Sequence, residues 1–245
     1  MTDVHIDIKN KTYTTTESRQ HTAIKNLKLS LPSNQFTCLV GPSGCGKTTL
    51  LNIIANLDKQ FQGSISTNEN HSHPKIGYIF QNPRLLPWRT VRENIELVLT
   101  DRHSPDIIQP LLESMLLQEV QDAYPEHLSL GMSRRVSIIR AFAVKPDILL
   151  MDEPFVSLDA PTARQVRKLL INLWQQRPHT ILFVTHDLRE AISLADRLVF
   201  LSPSPMSVVS EIEVNIPRAE RENDTAIEAF RQKLLTEHTD IKNLL

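Results

Sequence analysis

Apolar and polar residues alternate over 4–9 (VHIDIK) and 27–31 (LKLSL), the period of half-buried strands. FTCLV (36–40) is apolar without alternation, as a strand buried on both faces is, and it runs straight into a glycine-rich loop. Beyond the loop, Leu50, Leu51, Ile53, Ile54 and Leu57 keep helical spacing. KIGYIF (75–80) predicts a further strand. From about 82 to 145 the character turns helical, with one apolar stripe at Ile107, Ile108, Leu111, Leu112 and Met115. DILLMDEP (147–154) and TILFVTH (180–186) are short buried-strand runs. Between them Val166, Leu169, Leu170, Leu173 and Trp174 mark one face of a helix that Asp159 and Pro161 can start. Beyond about 203 the chain holds one weak strand-like stretch and an amphipathic C-terminal segment. Sequential β–α–β units around a helical insertion, joined by right-handed crossovers, predict an α/β fold with a mostly parallel sheet covered by helices.

The 245 residues suffice for one large core or two modest lobes. A hydrophobic share of 40% and a charged share of 22% are those of an ordinary globular protein. The formal net charge of -1 leaves no basic footprint, so nucleic acid is not an expected partner. Cys38 and Cys45 cannot build a disulfide framework, which points to a reducing cytoplasm. MTDVHIDIKN has neither a basic start nor an apolar stretch, so no signal peptide is expected. No apolar run approaches the ~18–20 residues that a membrane span needs. Any membrane role is expected to come through a partner.

Of only 6 glycines, Gly41, Gly44 and Gly46 share one loop, where the backbone must approach something closely. GPSGCGKT (41–48) fits the phosphate-loop (Walker A) pattern G-x-x-x-x-G-K-[ST] in full, between a strand and a helix as the pattern requires. Along Gly41, Pro42, Ser43, Gly44, Cys45 and Gly46 the backbone N–H groups can turn inward as a nest for phosphates. The helix that opens with Lys47, Thr48 and Thr49 adds its positive end. Lys47 would reach the β- and γ-phosphates, and Thr48 would offer its hydroxyl to Mg²⁺. The bland alternative is a chance glycine turn, which the strand–loop–helix context disfavours. Position 45 is free in the pattern, so Cys45 reads as a small loop filler rather than a redox group.

Asp152 and Glu153 follow ILLM at the C-terminal end of a buried strand, where ligands bind in open α/β sheets. Asp152 suits Mg²⁺, directly or through water, as the Walker B aspartate does. Glu153, one residue on, suits the base that activates a water in line with a γ-phosphate. A solvated acidic turn before Pro154 is the alternative. His71 and His73 superficially resemble a metal pair, but STNENHSHP reads as a solvated loop.

The decisive stretch is LSLGMSRRVSIIRAF (128–142), which resembles the LSGGQ signature of ABC transporter ATPases and the helix that follows it. Other elements of that family fall in order: Gln81 after GYIF matches the Q-loop glutamine, SLD (157–159) the D-loop with Asp159, and His186 in VTHD the switch histidine. Tyr13 precedes the phosphate loop at about the distance of the aromatic that stacks on adenine. The resemblance runs from about residue 4 to 205. Leu130 stands where the family usually has its first signature glycine; its N–H can still donate, and its side chain is expected to point away from the nucleotide. Met132 replaces the usual glutamine, as in importer-type members.

The resemblance implies the ABC ATPase fold: a P-loop core over 1–81 and 146–205, an N-terminal antiparallel β region, a helical subdomain over 82–145 and an extension over 206–245. It implies ATP and Mg²⁺ as ligands, with Mg²⁺ held by Thr48, Gln81 and Asp152. Lys47, Gln81, Glu153 and His186 would carry hydrolysis, and Ser129 and Gly131 would contact the γ-phosphate of an ATP held by the other subunit of a homodimer. The family works on transmembrane permease subunits at the cytoplasmic face of the cell membrane. Their helices would dock near QNPRLLPWRTVREN (81–94); Leu85, Leu86, Pro87 and Trp88 fit such a surface, or a turn packed inside the helical lobe. The NPRLLPW run looks like the branch of nitrate, sulfonate, taurine and thiamine-precursor importers, whose complete systems add an extracytoplasmic substrate-binding protein. An exporter or lipid-transfer ATPase shares the same site. A non-transport ABC ATPase usually carries a long coiled-coil insertion or two nucleotide domains, and 245 residues leave no room for either.

Overall fold

The computed structural model describes residues 3–14, 20–68, 74–99, 107–242 and 244. The chain divides into two compact units, Met1–Ser72 with Thr180–Leu245, and His73–His179. In chain order the first unit begins with β1 (Val4–Thr14), β2 (Gln20–Leu31), β3 (Phe36–Val40), α1 (Lys47–Ile54) and β4 (Gln62–Thr67). The second holds β5 (Ile76–Ile79), α2 (Val91–Glu96), α3 (Ile108–Ser114), α4 (Leu130–Ala143), β6 (Ile148–Asp152) and α5 (Ala160–Gln176). The first resumes with β7 (Thr180–Thr185), α6 (Leu188–Leu194), β8 (Arg197–Leu201), β9 (Val208–Glu213), α7 (Asp224–Glu237) and α8 (Thr239–Lys242).

In the first unit β3 lies between β7 and β8, parallel to both, and β9 closes antiparallel on β8. Every residue of β3 and β7 is buried, which is why neither segment alternates. A separate antiparallel sheet has the order β2-β1-β4. The alternation seen over 4–9 and 27–31 belongs to strands that continue to Thr14 and begin at Gln20.

β1 departs from simple alternation in a way that matters later. Against β4, Ile8 faces Gly63 and Asn10 faces Gln62, so Lys9 is an extra residue. Such a bulge shifts the parity of the strand: Val4, Ile6 and Ile8 are buried, and then Lys11 rather than Asn10. Gly63 allows it, since it adopts a φ of 141° and a Cβ there would run into the Asp7 carbonyl. Against β2, Lys11 faces Ile24 and Thr12 faces Thr22, which leaves Ala23 as a second extra residue.

The helix after the glycine loop is shorter than its apolar spacing predicts. α1 ends at Ile54, Asn56 turns left-handed at a φ of 58°, and Leu57 is 63% exposed rather than on the buried face. The extension packs on the core over its described residues from 206 to 242. Asp196, just before β8, accepts from the Phe36 amide (3.1 Å) and from Arg218 (2.6 Å). Arg221 donates to the carbonyls of Ala195 (2.7 Å) and Ile216 (2.8 Å), and α7 buries Ile227 and Leu234.

In the second unit β5 and β6 pair in parallel. The segment 82–145 lies wholly in this unit and holds α2, α3 and α4, with short three-ten turns between α3 and α4. Ile108, Leu111, Leu112 and Met115 are buried, at about 1.5–3 kcal/mol for each such side chain. α5 starts where Asp159 and Pro161 predict: the Asp159 carboxylate caps it, and Val166, Leu170, Leu173 and Trp174 form its buried face. No helix among the described residues is long and apolar enough to cross a membrane.

Candidate functional site

The phosphate loop leaves the buried end of β3 at Gly41 and enters α1 at Lys47. Gly44 and Gly46 take φ values of 76° and 117°, which L side chains rarely adopt. Gly46 is also hemmed in: an added Cβ would lie 3.3 Å from the carbonyl of Ala23, the bulged residue of β2. No side chain caps α1, so its first amides keep the positive helix end for an anion. Lys47 is buried and donates to the carbonyls of Gly41 (2.7 Å) and Pro42 (2.9 Å), which fixes the ammonium inside the loop. Ser43 and Thr48 are exposed.

Cys45 packs its sulfur 4.0 Å from that of Met206. Burial pushes its thiol up, and the neighbouring Lys47 offsets only part of this. Burial also pushes up the thiol of Cys38, and Glu190 adds to the effect. Both cysteines therefore stay protonated and act as small apolar fillers.

Tyr13 is half-exposed, and its hydroxyl lies 3.2 Å from both Thr49 Oγ1 and Asp58 Oδ2. His186 is exposed at the end of β7. The turn around it is fixed locally. Asp187 caps α6 by accepting from Arg189 (2.8 Å) and Glu190 (3.2 Å), and Thr185 donates to Glu190 (2.7 Å).

The remaining site residues belong to the second unit. Asp152 ends β6 and is buried, and Glu153 follows in the left-handed region at a φ of 43°. A non-glycine residue held there is strained, a condition common at functional sites. Burial, with the nearby Asp152 charge, drives the Tyr78 hydroxyl upward against the partial opposition of Arg84.

Gln81 is exposed just beyond β5, and its backbone is gripped from α4. Arg134 donates to the carbonyls of Phe80 (2.9 Å) and Gln81 (2.7 Å), and Arg140 to those of Pro83 and Arg84 (2.9 Å each). The Arg84 guanidinium stacks on the Phe80 ring, 3.8 Å from its centroid.

α4 opens at the signature. Ser129 is its N-cap, accepting from the Met132 amide at 3.2 Å. Gly131 is buried against α5, where an added Cβ would meet Thr162 Cγ2 at 2.7 Å. Thr162 in turn gives its amide (3.0 Å) and hydroxyl (2.7 Å) to Asp159. Thr162 therefore joins the signature glycine to the D-loop aspartate. Leu130 points its side chain into solvent, 43% exposed.

Of the loop Leu85–Trp88, Leu85 and Leu86 are half-buried, whereas Pro87 is exposed and Trp88 is 68% exposed. Asn94, fully buried on α2, staples this turn. Its Oδ1 accepts from the Leu86 amide (2.8 Å), and its Nδ2 lies within 2.9–3.2 Å of the carbonyls of Leu86, Arg89 and Thr90. Asn94, Arg134 and Arg140 escaped sequence reasoning, although a polar residue set into an otherwise apolar helix face is the signal that marks each. His71 and His73 lie outside the described residues.

A family model described as ABC transporter matches residues 24–156. The aliphatic sulfonates import ATP-binding protein of Bacillus cereus is 40% identical over 228 residues, 91% of either chain. The nitrate import ATP-binding protein of Synechococcus elongatus is 35% identical, over 97% of this chain and 90% of its own. A solved dimeric ATP-binding cassette, in a post-hydrolysis state with ADP and phosphate, matches with a TM-score of 0.74 and 30% identity. It covers 87% of this chain and 100% of that one.

Proposed function

The chain belongs to the ABC transporter family as an ATP-binding, ATP-hydrolysing subunit, and on that premise we propose that it powers import of a small oxyanion, an aliphatic sulfonate or nitrate. The observation that carries the nucleotide part is the cradle from Gly41 to Thr49, with Lys47 fixed in the loop and the amides of α1 uncapped. The similarity to sulfonate and nitrate import proteins supports the cargo class.

In this reading Lys47 and the loop amides bind the β- and γ-phosphates, and Tyr13 stacks on the adenine. Thr48, Gln81 and Asp152 offer a hydroxyl, an amide oxygen and a carboxylate, hard oxygen donors of the kind Mg²⁺ selects. Bound there, Mg²⁺ would neutralise charge on the phosphate oxygens. Glu153 takes the proton from the attacking water, and His186 donates to the γ-phosphate. Ser129 and Gly131 serve the nucleotide of a second copy, so that two chains enclose two ATPs as an isologous dimer. Asp159 organises that surface through Thr162. Trp88, on its stapled turn, inserts into a transmembrane permease subunit at the cytoplasmic face of the membrane, and an extracytoplasmic binding protein delivers the cargo.

Glu153→Gln is the test. ATP binding should persist while turnover falls at least ~10²-fold, the usual scale for losing a general base. Near wild-type hydrolysis by the purified variant would remove Glu153 from this role.

A further inference from the structure

Lys11 is an odd residue to find buried. It is 2% exposed, among the largest fully buried side chains in the chain, and it lies on a strand whose inward positions are otherwise apolar. Burying an ammonium is costly unless it is paired and hydrogen-bonded. One extra residue in the strand ladder brings it inside. The Lys9 bulge flips the parity of β1, and Gly63 makes room for it. Had the strand alternated without interruption from Val4, Lys11 and Tyr13 would both have faced the opposite side.

Once inside, the ammonium is fully engaged. It donates to Asp58 Oδ1 (2.8 Å) and to the Gln60 carbonyl (2.8 Å), and its nitrogen lies 4.4 Å from the centroid of the Tyr13 ring, over the ring itself. Asp58 also takes the Tyr13 hydroxyl on Oδ2 (3.2 Å). Burial pushes the Asp58 carboxyl up, but its bonds to Lys11, the Gln60 amide and Tyr13 outweigh this and hold it below the usual range. The Tyr13 hydroxyl reaches Thr49 as well, in the first turn of α1. Tyr13 is thus held at both ends: a cation covers one ring face, while the hydroxyl is tied to the phosphate-loop helix and to Asp58.

We propose that Lys11 and Asp58 are a positioning pair that presents the open face of the Tyr13 ring to the purine base of the bound nucleotide. The proposal rests on the reading of Tyr13 as the base-stacking residue. An unsupported tyrosine on a strand end would sample several rotamers, and ordering it would cost part of the stacking it provides. Here the ordering is built into the fold. The ammonium also draws electron density from the ring, which favours stacking of an electron-rich purine on its other face.

The test compares two probes on the full chain by calorimetry, ATP with Mg²⁺ and inorganic tripolyphosphate with Mg²⁺. Both use the phosphate loop, and only ATP uses the platform. Lys11→Met should weaken ATP roughly tenfold, the scale of one lost base stack, while tripolyphosphate binding stays unchanged. Asp58→Asn should do the same to a smaller extent, and Lys11→Arg, which keeps the cation, should recover most of the loss. Equal weakening of both probes by Lys11→Met and Asp58→Asn would make the pair merely structural and overturn the proposal, as would undiminished ATP affinity. Tyr13→Ala separates the two layers. If it erases the advantage of ATP over tripolyphosphate while Lys11→Met and Asp58→Asn do not, the pair has no positioning role. If it leaves that advantage intact, Tyr13 does not carry the base and the proposal falls with its premise.

Discussion

Arg134 holds the backbone of Gln81: its guanidinium donates to the Gln81 carbonyl at 2.7 Å and, with its other terminal nitrogen, to the Phe80 carbonyl at 2.9 Å. The side chain is buried, and among the described residues its Nε has no hydrogen-bond partner. Its place is therefore justified by the two carbonyls alone. Arg134→Leu would leave both without this donor at about 1–3 kcal/mol each, so denaturant unfolding should show a loss of about 2–6 kcal/mol. Arg134→Lys has no planar fork and should recover only part of this. Stability equal to wild type in the leucine variant would mean that the grip contributes nothing.

The contact of Gly131 with Thr162 gives a prediction that can be rescued. Gly131→Ala should destabilise by about 1–3 kcal/mol, because the new Cβ overlaps a threonine methyl. Thr162→Ser removes that methyl and keeps the hydroxyl for Asp159. The double variant should return most of the melting temperature, and a strictly additive loss would place the strain elsewhere.

Trp88 is exposed on a turn held by Asn94, so its removal should not unfold the subunit. For Trp88→Ser the free protein should stay within about 0.5 kcal/mol of wild type. Its affinity for the permease should fall about 30-fold or more, since a buried aromatic anchor is commonly worth ~2 kcal/mol. A large drop in the melting temperature of the isolated chain would make the tryptophan a packing residue instead.

His179 supplies a pH dependence. Its ring is buried edge-on to Phe142, its Nδ1 lies 2.9 Å from the Arg177 carbonyl, and its buried Nε2 has no hydrogen-bond partner among the described residues. Burial holds the imidazole below its ordinary 6.5. Below that value the unfolded chain takes up a proton before the folded one does. The stability tied to His179 is therefore complete above 6.5 and is lost as the pH falls from there toward the folded-state value. The melting temperature should drop as the pH is lowered below 6.5, and His179→Gln should flatten that drop. An unchanged slope would assign the pH dependence to other groups.

The candidate site residues were legible because each sits where a strand hands over to a loop or helix: Gly41 to Thr48 after FTCLV, Asp152 and Glu153 after ILLM, His186 after TILFVT. Local pattern sets those junctions. Much of what escaped depended on partners distant in sequence. The inward turn of Lys11 was not legible, because the bulge that inverts β1 is set by β4, some fifty positions later. Leu57 kept the helical period of α1, yet the left-handed Asn56 had already ended the helix. The hydrophobic pattern of 206–245 was too weak to fix its place, since much of its attachment is polar, through Arg218 and Arg221.

That attachment sets a limit on how far the gene can be shortened from its 3′ end. Asp196 touches the first amide of β3 on one side and two guanidinium groups on the other, and Arg218 also lies 5.9 Å from the Phe36 ring centroid. Deletions confined to α8 spare these bonds. A stop codon before Pro217 removes both cations and leaves an acidic group facing the root of the strand that carries the phosphate loop.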